Sequence, residues 1–169
     1  MITQIDLSIP TGAIFSEDRL YRYALWRVWH QNPRILLGIG LNCSTANEYR
    51  NDPTITRFMA HAYNKGFGGF FMGNLNAYIS PNPKDLLKVN DPVGIETDKY
   101  LREMIALTIA SDGVVCCAWG SFPEAKRRCD IVLKMVPEPY CLGVNGDGQP
   151  KHPLYLSYAT KLVPFKVQE

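Results

Sequence analysis

The chain has 169 residues, 46% of them hydrophobic and 20% charged, enough to bury a core without staples, and we expect a single domain over residues 1–169. A net charge of +2 permits nucleic-acid binding through a local patch and does not by itself argue for it. The opening Met1-Ile2-Thr3-Gln4-Ile5-Asp6 lacks the basic start and apolar run of a secretory leader, and stretches such as residues 34–41 are too short to span a bilayer, so the expectation is a soluble cytoplasmic protein with no membrane partner.

Residues 19–29, RLYRYALWRVW, set apolar side chains at helical spacing with arginines between them, predicting a helix or a compact arm against the core. Asn32-Pro33 breaks the chain. Residues 35–41, ILLGIGL, read as a buried strand, followed by a polar loop over 42–47. Asp52-Pro53-Thr54 combines an N-cap with proline at the first helical position and launches a helix towards Lys65, ended by GFGG at 66–69. Residues 70–75 form a second apolar strand that runs out in Asn76-Ala77-Tyr78. The proline-bearing stretch 81–94 is a loop, and 98–110 is an amphipathic helix. Residues 113–120, GVVCCAWG, make a third strand. Residues 122–135 are a third helix with a basic face at Lys126, Arg127 and Arg128, and 140–144 a fourth strand. Asn145-Gly146-Asp147-Gly148 supplies the turn that delivers His152 between two prolines.

Strands alternating with helices imply βαβ units, hence an α/β, three-layer domain with a central, mainly parallel four-stranded sheet. Ligands of such sheets bind outside the carboxyl ends of the strands. The polar residues cluster there: Asn42, Ser44 and Thr45 after the first strand, Asn74 and Asn76 at the second, Trp119-Gly120-Ser121 after the third, and His152 after the fourth. We expect the four ends to converge on one cleft.

Several chemistries lack their signatures. The five cysteines, Cys43, Cys116, Cys117, Cys129 and Cys141, are never spaced Cys-x-x-Cys, so no metal is expected and the apolar pair Cys116-Cys117 reads as buried reduced thiols. Gly38-Ile39-Gly40 lacks the third glycine and the immediate helix of a dinucleotide fingerprint. There is no Gly-Lys-Ser/Thr loop, and Ser44 has no Gly-x-Ser-x-Gly elbow around it. No organic cofactor is implied.

The ordered motifs YRYALWRVW, GLNCSTAN, NDPTITRFMAHAYNKGFGGFFMGNLNAY, DPVG, AWG and CLGVNGDGQPKHPLYL together resemble a phage and bacterial family known as a domain of unknown function, number 1643. The order of signals is also similar to the uracil-DNA glycosylase superfamily. There, a Gly-x-Asp/Asn-Pro motif follows the first core strand and its acid or amide positions the hydrolytic water. Gly40-Leu41-Asn42-Cys43 stands in that place. A base-reading Asn ends the next strand, matched by Phe71-Met72-Gly73-Asn74, and a strand ending in Trp-Gly is matched by Ala118-Trp119-Gly120. A late His-Pro followed by a duplex wedge is matched by His152-Pro153-Leu154-Tyr155.

This resemblance implies a glycosylase-like fold and an N-glycosylase acting on a uracil-like or modified base in nucleic acid or a nucleotide. Asn42 would hold the water, a neutral His152 would donate to the leaving base, and Asn74 would read the base edge. Ser44, Thr45 and Asp52 would line the base site, Leu154 and Tyr155 would wedge the duplex, and Arg22, Arg27 and Lys151 would hold phosphates. The chain departs from the pattern twice. Asn42 replaces the acid of the most active branch, and Cys43 replaces the proline. Because an amide is no general base, two alternatives stand: a non-catalytic nucleic-acid or nucleotide-binding module that kept the pocket, and an enzyme of another class acting on a nucleotide metabolite. Each side chain also has a structural reading: His152 as loop punctuation, Asn42 as a turn cap, Asn74 as a partner for strand-end backbone, Asp52 as a helix cap, Trp119 as packing, and the basic run as a solvated face.

Overall fold

The apolar runs ILLGIGLNC and GFFMGNLNAYI form the two longest strands of the computed structural model, which describes residues 1–166. β3 (Ile35–Cys43) and β4 (Gly69–Ile79) pair in parallel, from Ile35 opposite Gly69 to Asn42 opposite Asn76. β5 (Val114–Cys117) pairs in parallel with the other side of β3, and β6 (Pro139–Cys141) in parallel with β5. Strands covered on both faces carry continuous apolar runs rather than alternation. Here Leu36 joins one core cluster and its neighbour Leu37 the other, as the pleat requires.

The sheet is wider than the four strands expected. β1 (Thr11–Phe15), β2 (Arg22–Val28) and β7 (Val163–Pro164) extend it to seven in the order β1-β2-β4-β3-β5-β6-β7, and their pairings β1–β2, β2–β4 and β6–β7 are antiparallel. β2 replaces the helix expected over 19–29. Its backbone is taken up between β1 and β4, and Arg22 and Arg27 are buried rather than solvated, so the apparent helical polar stripe never faces water. β1 and β7 carry too few residues for a period to show.

The helices sit on both faces. α1 (Pro53–Asn64) starts where Asp52 Oδ1 accepts the Ile55 N–H at 2.9 Å, with Pro53 needing no acceptor of its own. Its apolar stripe, Ile55, Phe58 and Ala62, joins Leu36, Phe70 and Met72. Phe58 reaches the sheet because position 38 is glycine: a Cβ there would lie 2.9 Å from its ring. α2 (Thr97–Ala110) covers the other face with Leu101 and Met104 beside Leu37 and Phe71.

The helix expected over 122–135 is broken. A 3-10 turn, Pro123–Arg127, gives way to the short α3 (Cys129–Leu133), because Arg128 leaves helical geometry at φ −122°. Its Nε donates to Leu75 O at 3.2 Å and its guanidinium pairs with Asp98 at the start of α2. Of the basic run, Lys126 and Arg127 are exposed, and Arg128 is a buried clamp. No helix among the described residues is long and apolar enough to cross a membrane.

The chain after His152 lies along α1 as a strap. Arg57 donates to Leu156 O and its guanidinium stands 4.0 Å over the Tyr158 ring. Lys65 Nζ donates to Tyr158 O at 3.1 Å and to His61 Nδ1 at 3.2 Å. His61 is sealed from solvent beneath this contact, its Nε2 without a partner. Burial, then the Lys65 and Arg57 charges, push its pKa down from 6.5 to about 4.

Two measurements test this packing. Gly38→Ala drives a methyl against Phe58, and urea unfolding should show a loss of about 1–3 kcal/mol, the usual range for overpacking. The unfolded chain protonates His61 below pH 6.5, whereas the folded one resists until about pH 4. Stability should therefore fall as pH drops through that window, by on the order of 3 kcal/mol from this residue. In His61→Phe that part of the slope should vanish; an unchanged slope would assign it to other groups.

Candidate functional site

Beyond the carboxyl ends of β3, β4, β5 and β6 lies a cavity of about 400 Å³. Arg22, Asn42, Ser44, Asp52, Asn74, His152, Leu154 and Tyr155 line it, and so does Trp119. Three other residues assigned to the site do not. Thr45 is exposed outside it. Lys151 serves through its backbone, its N–H donating to Gly143 O at 2.9 Å. Arg27 is spent on the fold: it donates to Asn47 O at 2.6 Å, Trp26 O at 2.8 Å and Asn51 Oδ1 at 2.9 Å, so it is corrected from a phosphate ligand to a loop anchor.

Asn42 occupies the strand end where the β3–β4 register slips, Cys43 facing Ile79 instead of continuing from Asn76. That irregularity turns the Asn42 amide towards the chain leaving β4. Its Nδ2 donates to Cys43 O and to Ser80 O, both at 2.9 Å. With both amide protons committed, Oδ1 is the only group Asn42 offers, and it can orient a water or accept from a ligand.

Asn74 sits opposite Gly40 in the ladder and is 3% exposed. Its Nδ2 donates to Cys43 Sγ at 3.2 Å, and Cys43 Sγ donates in turn to Arg22 O at 3.2 Å. Asn74 Oδ1 is buried without a partner, an arrangement that costs about 1–3 kcal/mol and that proteins retain where something else fills it. Arg22 donates to Ala46 O at 2.8 Å, while its buried Nε has no partner. A guanidinium with uncommitted donors on a cavity wall suits an anion or a carbonyl.

Asp52 is both a cap and a wall. One carboxylate oxygen accepts from Ile55 N at 2.9 Å and the other from Ala46 N at 3.2 Å, which closes the 44–52 loop over the cavity.

His152 is delivered by a pinned hairpin. Val144 bridges Pro150, Asn145 N donates to Gln149 O at 2.8 Å, and Gly120 N donates to Pro150 O at 2.9 Å. Trp119 Nε1 holds Gln149 Oε1 at 2.8 Å, tying the third strand end to the same hairpin. The Leu154 N–H donates to His152 Nδ1 at 3.1 Å. A neutral ring that accepts there carries its proton on Nε2, leaving one donor for a ligand. Burial lowers the pKa of His152, and the Asp52 carboxylate opposes the shift. Tyr155 follows at the rim, 92% exposed and in left-handed backbone at φ 73°. A non-glycine residue there is strained, so the ring is held out towards solvent by the strap rather than by local preference.

Sequence reasoning missed Phe122, Thr54, Met72 and the role of Cys43. Phe122 is a half-exposed aromatic on the cavity wall two residues past Gly120, and its place just beyond a strand-end Trp-Gly was the available signal. Thr54 lines the cavity from the first turn of the α1 helix that Asp52 caps. Met72 shares a strand face with Asn74 two residues on, which the strand period already contained. Cys43 stood out in the sequence only as the replacement of a proline, and nothing there marked its contact with Asn74. Among the described residues no cluster of three or more His, Cys, Asp or Glu side chains could hold a metal ion.

The sequence profile described as "Protein of unknown function (DUF1643)" matches residues 22–154, which span β2 to β6 and every cavity-lining residue except Tyr155. No curated protein and no solved structure matches the chain.

The site's electrostatics can be checked by NMR titration. His152 should titrate below the ordinary histidine value, and Asp52→Asn, which keeps a cap but removes the charge, should move the midpoint lower still. A midpoint at or above 6.5 would contradict the buried neutral ring.

Proposed function

Because the chain belongs to the DUF1643 family, whose description states no activity, its function has to be argued from the cavity, and we propose a nucleobase-recognising N-glycosylase-like protein. The observation that carries this reading is the His152 ring, neutral and with its one proton on Nε2 because Nδ1 accepts from Leu154 N. Breaking an N-glycosidic bond sends the bonding electrons onto the base and leaves an oxocarbenium-like sugar. A preorganised donor aimed at the developing anion is the largest single help a protein can supply. His152 meets that charge at a base carbonyl, and Asn42 Oδ1 holds the water that attacks the anomeric carbon. Asp52, the one carboxylate on the cavity wall among the described residues, takes the proton this water sheds.

Three further features support the reading. The cavity lies at the carboxyl ends of a parallel β4-β3-β5-β6 block, and among its lining residues are Asn42, Asn74 and His152, on which the sequence resemblance to uracil-DNA glycosylases rests. Phe122, exposed on the cavity wall, offers a flat apolar face to a planar ring. Leu154 and the exposed Tyr155 stand at the rim where an extruded base would leave a gap in a stack.

One observation favours a second reading. Asn42 is an amide with both protons committed, so it can orient a water but not deprotonate it, and both oxygens of Asp52 already accept backbone N–H groups. On that ground the alternative is a module that binds a base or nucleotide without hydrolysis.

The deciding experiment measures base release from single- and double-stranded oligonucleotides carrying uracil, mismatched and modified bases. We expect release by the wild type, reduced about 10²- to 10³-fold in His152→Ala, the usual effect of losing one such donor. Because burial lowers the His152 pKa, its contribution should persist to lower pH than that of an ordinary histidine and decline as the ring protonates. Binding of the same oligonucleotides with no release would select the binding module.

A further inference from the structure

We propose that Cys43 is a positioning residue that locks the Asn74 amide with its oxygen towards the cavity, so that the site selects a base edge presenting an N–H donor. The inference rests on the base-pocket reading above and specifies what that pocket reads.

The donors and acceptors around Cys43 can be counted. Arg22 O is a backbone carbonyl and can only accept. Cys43 has a single S–H, and it is directed at that carbonyl at 3.2 Å. The sulfur therefore meets its other neighbour as an acceptor, and Asn74, 3.2 Å away, must turn its Nδ2 towards it. Were the amide reversed, two acceptors, Asn74 Oδ1 and Arg22 O, would compete for one proton. Orientation of an amide is decided by such networks, and this one has a single consistent solution. Burial raises the thiol's pKa, so the proton on which the chain of donors depends is retained.

The consequence appears at the other end of the amide. Asn74 Oδ1 is buried without a partner. Gly40 lets Oδ1 and the end of Met72 pack directly against the β3 backbone, since a Cβ at that position would stand 2.8 Å from Oδ1 and 2.7 Å from Met72 Cε. Met72 has the flexible, unbranched end that can yield as a ligand enters. A ligand that reaches Oδ1 must bring a donor, while the carbonyl it needs for His152 is a separate requirement. The –CO–NH– edge of a lactam or imide base satisfies both. A base with a bare ring lone pair at that point would set two acceptors against each other.

The test uses two nucleosides titrated calorimetrically into the full chain: uridine, and the 2-pyrimidinone riboside, which keeps the O2 carbonyl, offers an N3 lone pair in place of N3–H, and lacks O4, a loss common to wild type and variants that cancels when their binding ratios are compared. We expect wild type to bind uridine about tenfold or more tightly than the pyrimidinone, the usual effect of setting an acceptor on a buried acceptor. In Cys43→Ala the amide is free to rotate and the ratio should fall below about threefold. Cys43→Ser keeps the same proton order and should restore it. A purely structural role for Cys43 would weaken both ligands together and leave their ratio alone, which would overturn the inference. Equal binding of the two nucleosides by wild type would overturn it without any variant, while leaving the base pocket standing. Binding of neither would remove the base-pocket reading and this inference with it.

Discussion

Arg22 is the residue through which the site is assembled. Its guanidinium reaches from β2 to Ala46 O, and with Arg27 on the same strand it grips the carbonyls of the loop that follows β3. Its own carbonyl receives the Cys43 thiol, which in turn sets Asn74. The gripped loop ends at Asp52, whose carboxylate starts α1, and α1 carries the Arg57 and Lys65 side chains that hold the strap bearing Tyr155. An antiparallel strand added beside the parallel block is thus what lets residues far apart in sequence face one cavity. Burying two guanidiniums is expensive unless each is bonded, and here backbone carbonyls, not carboxylates, supply most of the partners.

The elements read correctly from sequence are those whose local chemistry and environment agree. Asp52-Pro53 marked the start of α1 because the cap and the missing N–H do their work within four residues. The runs that became β3, β4 and β5 were visible because a doubly covered strand has no polar face. β2 was misread for the same reason in reverse. Its arginines looked like a solvent stripe at helical spacing, and only their tertiary partners reveal that they are interior. Residues 122–135 have helical composition, yet Arg128 is worth more bonded to Leu75 O and Asp98 than continuing a helix. No local pattern encodes that preference.

At the site, the rule that strand carboxyl ends carry ligands located Asn42, Ser44, Asn74 and His152 at one cavity. It failed for Thr45, Asn76 and Ser121, because a side chain's direction depends on register and bulges that lie beyond one strand's own residues. The committed hydrogen bonds were further out of reach. Which atom of Asn42 remains free depends on Ser80, thirty-eight positions away, and which atom of Asn74 remains free depends on Cys43 and Arg22. Sequence shows the residue types on offer, whereas the polarity of each is a property of the folded network.

The cysteines carry a consequence of their own. All five are buried and unpaired, and burial pushes the thiol of Cys116 up to about 12. Alkylation needs a solvent-reachable thiolate, so the closed protein offers none of them to a reagent. Cys117 of β5 faces Cys141 of β6 across one ladder, with Cys116 next to them in the chain, whereas Cys43 stands at the end of β3 beside the site. Their thiols therefore clock the opening of regions, Cys43 that of the site and the β5–β6 group that of the other side of the sheet. The chain carries, without any added label, its own reporters of how often its interior breathes.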